Sequence, residues 1–409
     1  MLPMLKNLQA MGRSIWRNAL DFPRALSISA AFSGFLIVLV SGTGPVAVLL
    51  LAAKSGHMSP AQISSWLLAC WGGSGLYAIF LSLWLRIPMI GAWSSSSVAI
   101  LVVGLAQHSL PEAVAAYFMS AVAVIVVGLT GIFDRILKLA PKPVVMAMLG
   151  GILFQFGLSI FQQLPHAPWV VLAMLAGYFF ARRLKWRAPV LTSLVLGMAV
   201  AIPTHLLNHV KIHVAMAHLV WVSPHFTLAA LITLAIPMVL VTLTSQFAPG
   251  MAVINASGYE APTNKSLVTA GVISLATAGF LGSGVNSAAI TAAIGTGEQA
   301  EPDKNRRYTA GVVSGIVYIA VALFGMTMLE VFQILPAAML AALGGLGLLP
   351  AIVSSTAEAM ADSDYREAAM VCFLVTISNI HEWGLGAPFW GLIAGVLAHQ
   401  VVSLKVKRS

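Results

Sequence analysis

Long apolar stretches, separated by short polar segments, run through nearly the whole chain of 409 residues. A transmembrane helix needs about 20 mainly apolar residues, and dividing the chain at charges, prolines and polar clusters leaves fourteen stretches of this kind. Only 9% of the residues are charged, whereas soluble domains carry about 25% and need them to cover their surface. The sequence therefore predicts an all-α polytopic membrane protein with the lipid bilayer as its solvent.

The predicted spans are numbered 1 to 14 in chain order, and span 6 is the shortest of them. They cover residues 26–53, 60–84, 87–106, 112–132, 142–162, 168–181, 188–207, 227–250, 264–280, 282–297, 308–330, 335–358, 365–380 and 384–403.

The distribution of basic residues supports this count independently. With fourteen spans and the N-terminus inside, all of the 22 Lys and Arg residues except Lys54 and Lys211 face the cytoplasm, as the positive-inside rule requires. Residues 1–25 lack the short apolar core and cleavage site of a signal peptide and are predicted to be a retained cytoplasmic segment. We therefore expect a multi-pass protein of a bacterial-type inner (plasma) membrane with both termini in the cytoplasm. The basic residues flank the spans and form no continuous basic face for nucleic acid.

Fourteen spans divide into two halves of seven, and an odd number per half means that the second half enters the membrane from the opposite side. The predicted repeats are residues 26–207 and 227–403, joined by a polar extracytoplasmic connector at 208–226. Inverted repeats are a recurring architecture of secondary transporters, which bind substrate near the midplane between interrupted helices. The third span of each half is polar in its first part, so spans 3 and 10 are predicted to be interrupted.

In span 3, Pro88 and Gly91 disfavour a continuous helix, and the serines that follow are good N-cap residues. This pattern predicts an extended segment that leads into a half-helix beginning near Ser94. In span 10, the glycine-rich segment 279–284 precedes Asn286 and Ser287 and then an apolar run, which predicts the same arrangement.

Two half-helices that begin near the midplane would direct free N–H groups and positive dipole ends at one point, which suits a carboxylate or another small anion. The alternative interpretation is that these serines and glycines only allow close helix packing. Their matching positions in the two halves favour a binding site. Trp93 could stack on an aromatic substrate or fill the core, and Gln246 on span 8 could bind substrate or a neighbouring helix. The predicted substrate-binding residues are Thr43, in a polar break within span 1, Trp93, Ser94, Ser95, Ser96, Ser97, Gln246, Asn286, Ser287 and Thr291.

No Asp or Glu lies centrally in a predicted span, and no catalytic or cofactor-binding motif is present. The sequence therefore predicts no enzyme and no cofactor. A proton could travel on the substrate acid or on a histidine, or coupling could be absent. His205, His209 and His213 have i, i+4 spacing and could bind a metal if helical, but no Cys or carboxylate accompanies them. A solvated connector is favoured, and no metal site is predicted.

The second half resembles the BenE-type benzoate–proton symporter family, and the first half resembles it at fewer positions. The similarity lies in 245–246, 249–250, 288–294, 306–311, 335–337, 341–346, 366–369, 373–376 and 387–392, together with 64–66 and 91–94. The family usually has a proline soon after Ala-Trp-Ser, where this chain has four serines, and an Asn after the glutamine, where this chain has Phe247.

This resemblance implies the fold of uracil/xanthine permeases and sulfate-type anion transporters. That fold has a core domain, here spans 1–4 and 8–11, and a gate domain, here spans 5–7 and 12–14. The implied function is secondary active transport of a small organic anion, benzoate or a similar aromatic carboxylate, in symport with protons. The alternatives are an anion channel or facilitator, or a carrier of another small anion or a nucleobase. A homodimer is compatible with the sequence, which does not fix the oligomeric state.

Overall fold

The computed structural model describes residues 2–43, 45–135, 141–186, 189–208, 214–288, 291–298, 300–325, 327, 330, 334–378, 380, 382 and 387–403. Most of these residues are helical. The helices are α1 (Leu2–Ala25), α2 (Ile28–Thr43), α3 (Pro45–Ser55), α4 (Pro60–Leu85), α5 (Ser95–Gly104), α6 (Leu110–Thr130), α7 (Lys142–Gln162), α8 (Pro168–Arg183), α9 (Pro189–Ala201), α10 (Leu228–Ala256), α11 (Thr263–Ala278), α12 (Ala292–Thr296), α13 (Tyr308–Leu323), α14 (Ala337–Ala361), α15 (Arg366–Ile377) and α16 (Ala387–Ser403).

Each predicted span coincides with a helix or with an interrupted segment. The agreement arises because the same apolar runs, bounded by charges or prolines, define the predicted spans and form the helices. Within the described residues, five helices (α4, α6, α7, α10 and α14) are long and apolar enough to cross a bilayer, while α9, α13 and α16 are shorter apolar helices. The count of fourteen crossings therefore stays a prediction. The N-terminal segment 1–25 is helical from residue 2, which the sequence analysis did not anticipate.

The prediction of an all-α fold was incomplete. Strand β1 (Gly91–Trp93) and strand β2 (Val285–Ser287) form an antiparallel two-stranded sheet within the helical protein. Each strand has only three residues, too few for the alternating pattern that identifies a strand in a sequence. The strands lie within predicted spans 3 and 10, so the interruptions were predicted correctly and their pairing was not.

The helices pack into two groups. The first group (α2–α6 and α10–α13) is built around the pairs α4–α13 and α6–α11. Gly75 and Gly315 let the first of these pairs approach closely, since a Cβ on either glycine would lie 2.6 Å from the carbonyl oxygen of the other.

The second group (α7–α9 and α14–α16) contains the pairs α7–α14, α8–α9 and α15–α16. It has an apolar cluster of its own, which includes Val171, Met174, Met339 and Leu343. The two groups meet where α3, α5 and α10 of the first group contact α7, α14 and α16 of the second.

The predicted connector has no helix or strand in residues 214–226. Its backbone donates hydrogen bonds to the ends of first-group helices, from Ala217 to the Leu323 carbonyl and from Val222 to the Gly279 carbonyl, both at 2.8 Å. His205 follows α9 outside any helix, and His209 and His213 lie outside the described residues. Nowhere in the described part of the chain do three His, Cys, Asp or Glu residues form a group that could hold a metal ion.

Candidate functional site

The candidate site is built on the ladder between β1 and β2. Gly91 lies opposite Ser287, Ala92 opposite Asn286 and Trp93 opposite Val285. The Ala288 amide extends the ladder by donating to the Ile90 carbonyl at 2.9 Å. Irregular backbone inside a membrane protein needs internal hydrogen-bond partners, and here each interrupted span supplies them to the other.

The helices α4 and α11 anchor this ladder through serine side chains. The Ser274 hydroxyl on α11 accepts a 2.8 Å hydrogen bond from the Val285 amide. The Ser82 hydroxyl on α4 accepts from the Met89 amide at 3.1 Å, two residues before β1. These contacts fix each strand against the helix that precedes it. The chain then continues from the C-terminal end of each strand into a half-helix.

Helix α5 begins directly after β1, as the serine run predicted. Ser94 is its N-cap, with an extended backbone and a hydroxyl that accepts from the Ser97 amide at 3.1 Å. Helix α12 follows β2 but contains only five residues, so its aligned peptide dipoles are few. The positive field predicted from two half-helices therefore comes mainly from α5.

Asn286 joins the two interrupted segments. Its side-chain oxygen accepts a 3.0 Å hydrogen bond from the Ser94 amide, and its side-chain nitrogen donates to the Ser287 carbonyl at 3.2 Å. This orientation of the amide is the one in which oxygen faces a donor and nitrogen faces an acceptor. Since Asn286 is fully buried, it ties the start of α5 to β2.

A narrow pocket adjoins Ser94 and Asn286 inside the first helix group. Its volume is about 20 Å³, which is room for a single water molecule. An aromatic acid would need a wider site than this conformation provides. Hydroxyl groups dominate its polar lining. The lining residues are Ser94, Ser97, Tyr117, Ser120, Ala121, Val124, Met238, Val239, Thr242, Ser274, Ser283, Gly284, Val285 and Asn286.

Several lining residues were missed by the sequence analysis. Tyr117 and Ser120 lie one helical turn apart on α6, and Thr242 on α10 shares a 2.9 Å hydrogen bond with Ser97. Single hydroxyl residues in an apolar run are typical of ordinary helix packing in membranes. The one sequence pattern that could have identified pocket residues is the i, i+3 spacing of Tyr117 and Ser120, which places both side chains on one face of α6.

The structure brings together three of the predicted site residues, Ser94, Ser97 and Asn286, around this pocket. The buried side chains of Trp93, Ser96, Ser287 and Thr291 lie nearby on the same segments but do not line it. The side chains of Ser95 and Thr43 lie outside what the structure describes.

Gln246 is half-buried and lies in a π-helical turn of α10 (Leu243–Phe247). It does not line the pocket, and within the described part of the chain its side-chain amide makes no hydrogen bond. Single π-helical turns inside α-helices occur frequently at functional sites.

Over residues 24–401 the chain matches the family model described as Benzoate membrane transport protein (BenE). The chain belongs to the BenE family. It is 38% identical to the Benzoate membrane transport protein of Acinetobacter baylyi over 383 residues, which are 94% of this chain and 97% of that protein. It is 34% identical to the Inner membrane protein YdcO of Escherichia coli over 377 residues, which are 92% of this chain and 96% of that protein. The resemblance noted in the sequence is thus confirmed.

Two solved structures share the fold of this BenE-family chain. The transmembrane domain of the cyanobacterial bicarbonate transporter BicA superimposes with a TM-score of 0.58 at 17% identity, over 92% of this chain and 97% of that chain. SLC26A9 superimposes with a TM-score of 0.60 at 13% identity, over 94% of this chain and 67% of that chain. Identities this low establish the fold alone, which here is a membrane transporter fold.

Proposed function

We propose that this chain is a secondary carrier of a small aromatic carboxylate such as benzoate, moved in symport with protons. Family membership supports transport of an anion of this kind. The single observation that carries the site is the pairing of the two interrupted spans, which places the N-terminus of α5 beside a hydroxyl-lined pocket. Helix N-termini favour anions because their amide donors and dipoles point outward.

We propose further that the chain is a seven-plus-seven inverted repeat. The packing supports this, because α4–α13 unites spans 2 and 11 and α6–α11 unites spans 4 and 9. In such a repeat span 2 corresponds to span 9, and span 4 corresponds to span 11. The two pairs are therefore equivalent. The pairs α8–α9 and α15–α16 are related in the same way.

In this proposal the first helix group is the core domain and the second is the gate domain, which moves relative to the core during transport. The apolar cluster among α8, α9 and α14 supports such a division, while the main apolar core continues from the first group into α7 and α15. The small pocket volume corresponds to a closed arrangement. Because every residue that lines the pocket belongs to the first group, binding of an aromatic acid also requires rearrangement within that group.

A histidine–glutamate contact lies beyond the C-terminal end of α5. His108, between α5 and α6, is 8% exposed, and its Nε2 shares a 2.8 Å hydrogen bond with the Thr233 hydroxyl. Its Nδ1 lies 3.9 Å from a carboxylate oxygen of Glu112. This contact joins the C-terminal end of α5 to α6 and α10, at the opposite end of α5 from the pocket at Ser94. Proton symport in this proposal therefore rests on the family resemblance alone.

Uptake of radiolabelled benzoate into proteoliposomes tests the proposed function. We expect saturable uptake that accelerates when an inward proton gradient is imposed and stops when an ionophore collapses it. Empty liposomes are the control. Uptake that rises linearly with concentration, or single-channel currents without proton dependence, would instead indicate the anion channel or facilitator.

Gln246→Ala is expected to weaken substrate binding about five- to ten-fold, the loss of one hydrogen bond, without affecting insertion or thermal stability.

Asn286→Ala should weaken binding and also lower the free energy of unfolding by about 1–3 kcal/mol, because it leaves the buried Ser94 amide unpaired. Isothermal titration and thermal unfolding in detergent separate the two effects. Equal stability losses in both variants would show that Gln246 serves packing.

A further inference from the structure

Helix α1 is docked on the ends of α4 and α13 through polar contacts. The side-chain nitrogen of Asn18 donates to the Leu83 carbonyl at 2.7 Å, and the Tyr308 hydroxyl donates to the Asn18 carbonyl at 3.2 Å. Asp21 pairs with Arg86, which also contacts the Asn18 side chain. The Arg306 guanidinium donates to the Ala25 carbonyl at 2.9 Å. These contacts hold α1 in one orientation.

The face of α1 that points away from the protein carries large apolar side chains. Trp16 is 69% exposed and Leu20 is 62% exposed, and the two lie one turn apart. A helix on the surface of a soluble protein directs its apolar side chains inward and its polar ones to water. In α1 the buried Asn18 faces the protein, while Trp16 and Leu20 lie on the exposed face. Water is therefore an unfavourable medium for this face.

Basic residues adjoin the exposed apolar face. Arg13, Arg17 and Arg24 are all exposed, and at about 100° per residue they fall on a sector beside Trp16 and Leu20, away from Asn18. Exposed acidic residues do not interrupt this sector within α1. A helix with arginines beside Trp and Leu has the pattern of an amphipathic helix that lies in the headgroup region of a bilayer.

The geometry at the end of α1 agrees with such a position. The axis turns by 109° between α1 and α2. Since α2 begins the first membrane span in the proposed function, α1 runs roughly parallel to the membrane plane at the side where basic residues collect.

We infer that α1 lies in the headgroup region and binds anionic phospholipid, with Trp16 and Leu20 against the acyl chains and the three arginines at the phosphates. This inference rests on the proposed membrane orientation. Because α1 is fixed to the adjoining ends of α4 and α13, it holds those ends at the membrane surface. The occupant is a lipid surface, which the combination of apolar and basic groups fits.

Electron paramagnetic resonance on spin-labelled protein tests the position of α1. Trp16→Cys, Leu20→Cys and Arg17→Cys are labelled singly, in a background with Cys70→Ala and Cys372→Ala, and reconstituted in nanodiscs of phosphatidylcholine and phosphatidylglycerol. Labels at 16 and 20 are expected to collide more often with oxygen than with a water-soluble nickel complex, and the matched label at 17 should show the reverse. Equal access of the nickel complex to all three would overturn the inference.

Binding of anionic lipid is measured separately with spin-labelled phosphatidylglycerol and phosphatidylcholine. The preference of the full-length protein for phosphatidylglycerol is expected to fall about five-fold in Arg17→Gln, from the contribution of one basic residue near an anionic surface. An unchanged preference in the Arg13→Gln, Arg17→Gln and Arg24→Gln triple variant would overturn the lipid assignment. Neither measurement depends on transport, so failure of the proposed substrate would not affect them.

Discussion

Ser94→Asp is expected to reduce transport of an anionic substrate by more than a hundred-fold while α5 stays folded. Asp is as good an N-cap residue as Ser, and its charge is favourable at a helix N-terminus. The Ser97 amide therefore keeps its partner. A substrate carboxylate about 5 Å away would be repelled by about 3 kcal/mol at an effective dielectric constant near 20.

The matched control for this variant is Ser94→Asn, which has the size and capping ability of Asp without its charge. The Asp and Asn variants are compared by their initial uptake rates and KM in proteoliposomes, and thermal unfolding checks that both are folded. We expect Ser94→Asn to retain most of the activity. Ser95→Asp, one residue further along, should act in the same direction as Ser94→Asp. Normal uptake by both Asp variants would place the anion site elsewhere.

Gly91→Ala is expected to lower the free energy of unfolding by about 3 kcal/mol, the upper part of the range for overpacked sites, and to abolish transport. A Cβ at Gly91 would lie 2.0 Å from the Ser74 carbonyl oxygen on α4. Because the clash is with backbone, no side-chain rotation relieves it. Strand β1 would have to move away from α4 and so lose its alignment with β2.

Gly72→Ala on α4 is the matched control. A Cβ at Gly72 would have only a Leu68 methyl group as a neighbour, at 3.9 Å. Thermal unfolding in detergent, together with uptake, should show a stable and active Gly72→Ala protein and an unstable Gly91→Ala protein. Similar melting temperatures for the two would show that β1 does not approach α4 as closely as described.

The sequence predicted the helices well because apolar length and flanking charge are local signals. Span 5 was predicted at 142–162, and α7 covers Lys142–Gln162. Span 2 was predicted at 60–84, and α4 covers Pro60–Leu85. The beginning of α5 at the serine run was predicted for the same reason, since N-cap preferences act within a few residues.

Other features depend on contacts between distant parts of the chain. The pairing of Ala92 with Asn286 joins residues in different halves, and neither three-residue strand has a pattern of its own. The role of Tyr117 in the pocket depends on which face of α6 meets α10. Helix α1 was missed because an amphipathic helix outside the apolar stretches gives no hydropathy signal of a span.

The ladder between β1 and β2 has a consequence for how the specificity of such a carrier can change during evolution. Each half of the chain contributes one strand, so the backbone position of Trp93 depends on Val285 and that of Ala92 on Asn286. A substitution that shifts one strand therefore also shifts the strand of the other half, and with it the proposed binding site. The backbone geometry at these six positions is shared between the two halves, however far their remaining residues diverge.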